Sequence, residues 1–274
     1  MLLRIVIIGL LIILPCTPDD ASSAMNAREK NDLIGPVRTV TTKGSGSSRT
    51  ETYDAEGKLL ETAIYLEQEK TPTRYLFSHN HRGNLLEENV YKSDGTLMYR
   101  NLFAYGYDSS GRETAVVAAS PDGAFSHAEF STYDKRGYLS EKFYVNASGI
   151  YRNVFDVQGH IMYSALFRDG QLFNEVKFSY DSWGRVVELI SYSPTGVVTG
   201  KSVNEYDDSG RRILRTAEKF QQGAAGRSVT TYEYDSAGNW VKALMKNESG
   251  ASSETAKAPY RVVQERVIVY YEKP

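Results

Sequence analysis

The chain has 274 residues, 41% of them hydrophobic, with a formal net charge of -2 and a single cysteine. That balance excludes the basic surface a nucleic-acid binder or an anionic-membrane binder carries. The length suits one large all-β domain or two ordinary ones, and the 20 tyrosines favour sheet, because a tyrosine ring packs while its hydroxyl reaches water.

Residues 1–24 read as an export signal. Arg4 supplies the positive start, Ile5 to Leu14 form an apolar run too short to span a bilayer, and Ser22-Ser23-Ala24 offers a small-residue cleavage site. Cys16 suggests a lipid anchor, although Pro15 stands where a small residue is expected. Cleavage at Ala24 leaves a mature chain without a thiol, and no membrane span is expected in it. Residues 25–36 read as a polar linker ended by Ile34-Gly35-Pro36. A single β domain is expected over 37–274. Val37 to Thr41 alternates as its first strand, and Gly44 to Ser48 reads as a flexible loop.

From about residue 50 to 245 one phrase recurs: tyrosine, aspartate, two variable residues, glycine. The copies are Tyr53-Asp54 with Gly57, Tyr107-Asp108 with Gly111, Tyr133-Asp134 with Gly137, Phe155-Asp156 with Gly159, Tyr180-Asp181 with Gly184, Tyr206-Asp207 with Gly210, and Tyr234-Asp235 with Gly238. A degenerate copy, His79-Asn80 with Gly83, brings the total to eight. Successive glycines lie 26, 28, 26, 22, 25, 26 and 28 residues apart, a period that marks a repeat architecture. Each phrase spells a β-turn. The aspartate accepts a hydrogen bond from the backbone two residues on, and the glycine takes the position that needs positive φ. A second turn follows each main-turn glycine, its own glycine 11 or 12 residues on, at Gly95, Gly123, Gly149, Gly170, Gly196 and Gly250.

Strand, turn, strand, turn predicts a long antiparallel meander of about eighteen strands. Leu97, Tyr99, Phe103, Tyr105 and Tyr107 share one face by alternation, as do Leu172, Val176, Phe178 and Tyr180. A flat sheet of that many strands is roughly 85 Å wide, so it is expected to curl or coil into an open shell or barrel-like sheet with its aromatic-rich face inward. Lys246 to Pro259 reads as a loop, and residues 260–271 as a capping strand.

Tyr180-Asp181-Ser182-Trp183-Gly184-Arg185 and Tyr107-Asp108-Ser109-Ser110-Gly111-Arg112 resemble the YD repeat of the Rhs family, which is also found in teneurins and in the shell subunits of insecticidal toxin complexes. The resemblance implies β-hairpins laid side by side in a spiralling sheet, which in the large relatives encloses a toxic cargo. The chain resembles a small, stand-alone, exported member without a toxin domain. The family's repeat residues are structural, so the resemblance brings no catalytic residues with it.

Few residues of the chain are arranged for chemistry. His79 and His81 lie two apart but flank a turn, and no third metal ligand stands near them in sequence. Serines sit in turns without a nucleophile elbow. Glu61, Glu87, Glu141 and Glu188 each follow a turn glycine by four residues and read as a solvent-facing ladder compensated by Arg and Lys of neighbouring strands. Trp183, in a variable turn position, is expected to be exposed, and Trp240, at a strand start, to be core. No catalytic, cofactor or metal site is expected. The function expected is that of a non-enzymatic scaffold or binding module, periplasmic, envelope-associated or secreted, with a protein or glycan partner and no nucleic acid. Alternatives are an outer-membrane β-barrel, opposed by charges on both strand faces and by uniformly short turns, and a glycan hydrolase, which requires paired carboxylates.

Overall fold

The computed structural model describes residues 33–44, 46–69, 71–221, 224–249 and 260–272. The export signal, Cys16, most of the linker and the glycine of the last second turn lie outside the described residues. Those described form eighteen strands and no helix. In order they are β1 (Val37–Gly44), β2 (Ser47–Tyr53), β3 (Leu59–Leu66), β4 (Thr73–His79), β5 (Leu85–Tyr91), β6 (Leu97–Tyr107), β7 (Glu113–Ala119), β8 (Phe125–Tyr133) and β9 (Leu139–Asn146). There follow β10 (Gly149–Phe155), β11 (Ile161–Arg168), β12 (Gln171–Tyr180), β13 (Val186–Tyr192), β14 (Val198–Tyr206), β15 (Arg212–Gln221), β16 (Ala224–Tyr234), β17 (Trp240–Ser249) and β18 (Arg261–Tyr270).

Every strand pairs antiparallel with its neighbours in sequence, and β18 pairs with β1 from Val37↔Tyr270 to Lys43↔Glu265. The meander therefore closes into an eighteen-stranded up-and-down barrel, with no free edge among the described residues. The strand expected to cap the sheet is the one that shuts it: β18 pairs along both of its sides. Two boundaries differ from expectation. β1 ends at Gly44 and β2 begins at Ser47, inside the predicted Gly44–Ser48 loop, and β17 runs on to Ser249, past the predicted loop start at Lys246.

The eight main turns lie on one rim with the chain ends, and the second turns lie on the other. Register sets the two faces of the wall. Val40, Tyr53, Val90, Val116, Ala118, Phe155, Leu166, Val176 and Ala243 share the inner face and are all less than 10% exposed. The aromatic-rich face is thus the inner one, as alternation predicts. Leu97 and Leu172 are exceptions. Bulges place them opposite outer-face residues Tyr91 and Phe167, so strict alternation misassigns them.

A barrel of eighteen strands tilted by about 40° is roughly 35 Å across, too wide for its own side chains to fill. Tight packing is accordingly local. The cluster of Leu33, Val37, Val40 and Tyr53, with Leu59, Ile268 and Tyr270 against it, seals the junction of the first and last strands.

Candidate functional site: the tyrosine rim and the inner aromatic wall

Each main turn is built as its residues dictate. At Asp207 the backbone carbonyl accepts from Gly210 N–H at 2.9 Å and the N–H donates to Arg211 O at 2.9 Å. The Asp207 carboxylate accepts from the backbone N–H groups of Ser209 and Arg211 at 3.0 and 2.9 Å. Gly210 sits at φ +82°, where a side chain would be strained. The turns at Asp54, Asn80, Asp108, Asp134, Asp156, Asp181 and Asp235 close with the same backbone bonds.

The tyrosine has a second role that spacing does not reveal. Between hairpins the ladders stop short of this rim, and the tyrosine hydroxyl takes the first unpaired carbonyl. Tyr133 donates to Glu113 O at 2.7 Å, Tyr180 to Ile161 O at 2.9 Å, Tyr206 to Val186 O at 2.9 Å and Tyr234 to Arg212 O at 2.7 Å. In every case the acceptor lies two residues beyond the last ladder pair, which involves Ala115, Tyr163, Glu188 and Leu214 respectively. Where the copy has Phe155 no hydroxyl is available, and that ring is simply buried. Burial raises the Tyr180 hydroxyl to about 12, with nearby Asp156 adding to it.

In five of the copies the residue after the glycine, which turn chemistry leaves open, ties the unit to the next. Arg112 pairs with its own Asp108 at 2.6 Å and lies over the ring of Tyr133, the next unit's tyrosine, at 4.5 Å. Arg185 does the same between Asp181 and Tyr206, and Arg211 between Asp207 and Tyr234. His160 substitutes for arginine, bonding Asp156 at 3.1 Å and stacking on Tyr180 at 4.6 Å. Asn84 reaches the hydroxyl of Tyr107 at 2.9 Å. The Arg112 hydrogen bond holds the Asp108 carboxyl below the ordinary carboxylate value, with backbone N–H groups assisting.

The last link closes the ring. Asn239, 1% exposed, donates to Ile34 O at 2.9 Å and to the Tyr270 hydroxyl at 2.7 Å, and accepts from Ile34 N–H at 2.7 Å. Tyr270 donates to Asp235 at 2.6 Å, and Tyr271 donates to the carbonyl of Tyr53 in the first unit at 2.6 Å. Tyr270 thus takes the place of the next unit's tyrosine beside Asp235 and Asn239.

The outer face carries the glutamate ladder the sequence suggests. Glu61 pairs with Arg74, Glu87 with Arg100, Glu141 with Arg152 and Glu188 with Lys201, each across one strand boundary. These pairs stand at mid-wall. The carboxylates are accounted for as surface ion pairs.

The inner wall from β4 to β10 carries a different constellation. Val90, Val116 and Ala118 on β5 and β7 are small and buried. Larger side chains from the flanking strands meet above them. Phe103 contacts His127 with ring centres 5.7 Å apart, His127 contacts Tyr144 at 5.3 Å, and Tyr144 contacts Tyr151 at 6.0 Å. Tyr75 and Tyr99 flank Val90 in one register row. Burial raises the Tyr99 hydroxyl well above its ordinary value, helped by Glu88, Tyr75 and Tyr144. Glu88 is bonded by Asn101 at 2.8 Å, and Glu129 pairs with Lys142 at 2.6 Å. No sequence motif marks this group, because its members come from separate repeats at different positions.

The other predicted candidates stay apart. His79 ends β4 and is half-buried, while His81 is exposed in the turn. Among the described residues no three His, Cys, Asp or Glu side chains stand together as a metal site. Trp183 is 77% exposed and stacks on Arg185 at 4.7 Å. Trp240 begins β17, half-buried, with the Arg266 guanidinium 3.6 Å from its ring centre.

No family model matches the chain, and no curated protein matches it. Solved structures similar to it include TcdB2-TccC3, at 12% identity and a TM-score of 0.33, over 92% of this chain and 17% of that one. A porin-like protein from Bacteroides uniformis is similar at 8% identity and a TM-score of 0.33, over 79% of this chain and 99% of that one. The chain spans about 17% of the length of TcdB2-TccC3.

Proposed function

We propose that this chain is an exported, non-enzymatic YD-repeat barrel that works as a binding module of the bacterial cell envelope, with water on both faces of its wall. The observation that carries this is the mid-wall ladder of outer ion pairs, Glu61–Arg74, Glu87–Arg100, Glu141–Arg152 and Glu188–Lys201. In lipid, each of the four cations alone costs about 2–4 kcal/mol at the midplane, or roughly 8–16 kcal/mol together. That matches or exceeds the whole stability of a typical domain, about 5–15 kcal/mol. In water the same exposed pairs contribute a net 0 to about 1 kcal/mol each.

Strand length argues the same way. β2, β4, β5, β7, β10 and β13 have 7 residues each. Seven residues at about 3.3 Å, tilted by about 40°, rise roughly 18 Å, short of the ~25 Å apolar band of an outer-membrane barrel. The YD-repeat assignment is supported by the ring of turns and their lateral tyrosine links.

Fractionation of expressing cells tests the proposal. The mature protein is expected in the soluble periplasm or medium, or released from the envelope by salt. Recovery only in detergent-extracted outer membrane would overturn it in favour of an integral barrel.

A further inference from the structure

We propose that the inner wall of β4–β6 binds a small organic cation, its ammonium group held between the rings of Tyr75 and Tyr99 beside the carboxylate of Glu88. This deepens the binding-module reading and rests on its water-accessible lumen.

Three observations converge. The first is ring placement. Tyr75 and Tyr99 stand on either side of fully buried Val90, and Glu88 lies two residues from Val90 on the same strand face. Tyr75, Glu88 and Tyr144 are all near enough to act electrostatically on the Tyr99 hydroxyl. Three neighbouring strands thus bring two tyrosines and a carboxylate to one place on the inner wall.

The second is charge. Among the described residues the Glu88 side chain is bonded by Asn101, a neutral amide, and no Lys or Arg pairs with it. The cations nearest in the ladder are committed elsewhere. Arg100 faces outward to Glu87 at 2.8 Å, and Lys142 holds Glu129 at 2.6 Å. An aromatic surface with a carboxylate and no compensating cation attracts positive charge and repels anions.

The third is exposure. Tyr99 remains 40% exposed although its neighbours are large, so ring surface faces the lumen and not a packed core. A ring face presented to an ammonium group contributes about 0.5–2 kcal/mol, more as the site is desolvated. A neutral ligand of the same shape forfeits both this and the attraction of Glu88.

The test compares choline with 3,3-dimethyl-1-butanol, which has the same shape but carries carbon in place of the charged nitrogen. Binding to the purified protein is followed by ligand-observed NMR. Choline is expected to saturate a site, and the neutral isostere to bind at least about tenfold more weakly. Glu88→Gln is expected to weaken choline by about tenfold, Tyr99→Leu by a similar factor, and Tyr99→Phe, which keeps the ring, by much less. Far-ultraviolet circular dichroism verifies that each variant keeps its sheet, and Glu188→Gln on the outer ladder serves as the control that leaves binding unchanged. Equal binding of the isostere, or undiminished binding by Glu88→Gln, would overturn the proposal. Flotation of the protein with phosphatidylcholine vesicles would also overturn it, by placing the ammonium group on a lipid. A soluble protein that binds no choline refutes this inference alone. A protein extractable only with detergent refutes the binding-module reading beneath it.

Discussion

Replacing Tyr180 by phenylalanine removes one hydroxyl and leaves the ring stacked on His160. The lost bond runs to Ile161 O at 2.9 Å, a carbonyl two residues past the last β11–β12 pair, Tyr163↔Lys177. Ile161 is only 7% exposed, so water replaces the hydroxyl poorly. A lost neutral hydrogen bond costs about 1 kcal/mol, and an acceptor left dry adds about 1 kcal/mol more, for a total near 2 kcal/mol. Tyr206 provides the internal control. Its acceptor, Val186 O, also receives Asn204 Nδ2 at 2.8 Å, so Tyr206→Phe leaves the carbonyl satisfied and costs about 0.5 kcal/mol. In urea unfolding with a slope of about 3 kcal/mol per molar, Tyr180→Phe shifts the midpoint by roughly 0.7 M and Tyr206→Phe by about 0.2 M, with slopes unchanged. Adding Asn204→Ala should bring the cost of Tyr206→Phe up to that of Tyr180→Phe. If the two single variants lose equal stability, or Tyr180→Phe loses none, then the tyrosine hydroxyls do not act as caps for unpaired carbonyls.

Three further outcomes are expected. Asn239→Ala leaves both backbone groups of Ile34 without their side-chain partner and removes the bond that the Tyr270 hydroxyl accepts, and is expected to cost about 2–4 kcal/mol and to raise hydrogen exchange in β1 and β18 before the rest of the barrel. Gly184→Ala places a Cβ 2.6 Å from His160 Nε2 at φ +77°, whereas Gly196→Ala at φ +79° meets nothing within 4 Å. Thermal unfolding should therefore show Gly184→Ala less stable than Gly196→Ala, which bears only the left-handed backbone cost of about 1 kcal/mol. The third concerns alkali. Burial raises Tyr105 and Tyr180 to about 12 from the ordinary 10.0, so their neutral hydroxyls contribute stability that is complete below 10 and is lost as pH rises towards 12. Tyrosinate absorbance and sheet circular dichroism should change together in that range. Full tyrosine ionisation near 10 with the sheet intact would contradict the burial.

The main turns were legible because their chemistry is local. Asp207, Ser209, Gly210 and Arg211 satisfy one another within five residues, so the phrase alone specifies the corner, and its eight recurrences specify a meander. The inward aromatic face and the outer Glu–Arg ladder followed from the two-residue period of strands, and failed only where bulges shift the register, at Leu97 and Leu172. What the candidate site depends on was not legible. Tyr75, Glu88 and Tyr99 occupy unrelated places in their repeats, and the register between β4, β5 and β6 brings them together.

The sequence by itself determined the strand count, the turn geometry and the antiparallel order, since each rests on contacts between residues close along the chain. Tertiary structure decided closure. Whether β18 caps an open edge or returns to β1 depends on the accumulated twist and coil of seventeen hairpin connections and on Asn239, Ile34 and Tyr270 meeting across more than 200 positions. Small per-strand angles sum to a closed ring, and no local stretch of sequence records that sum.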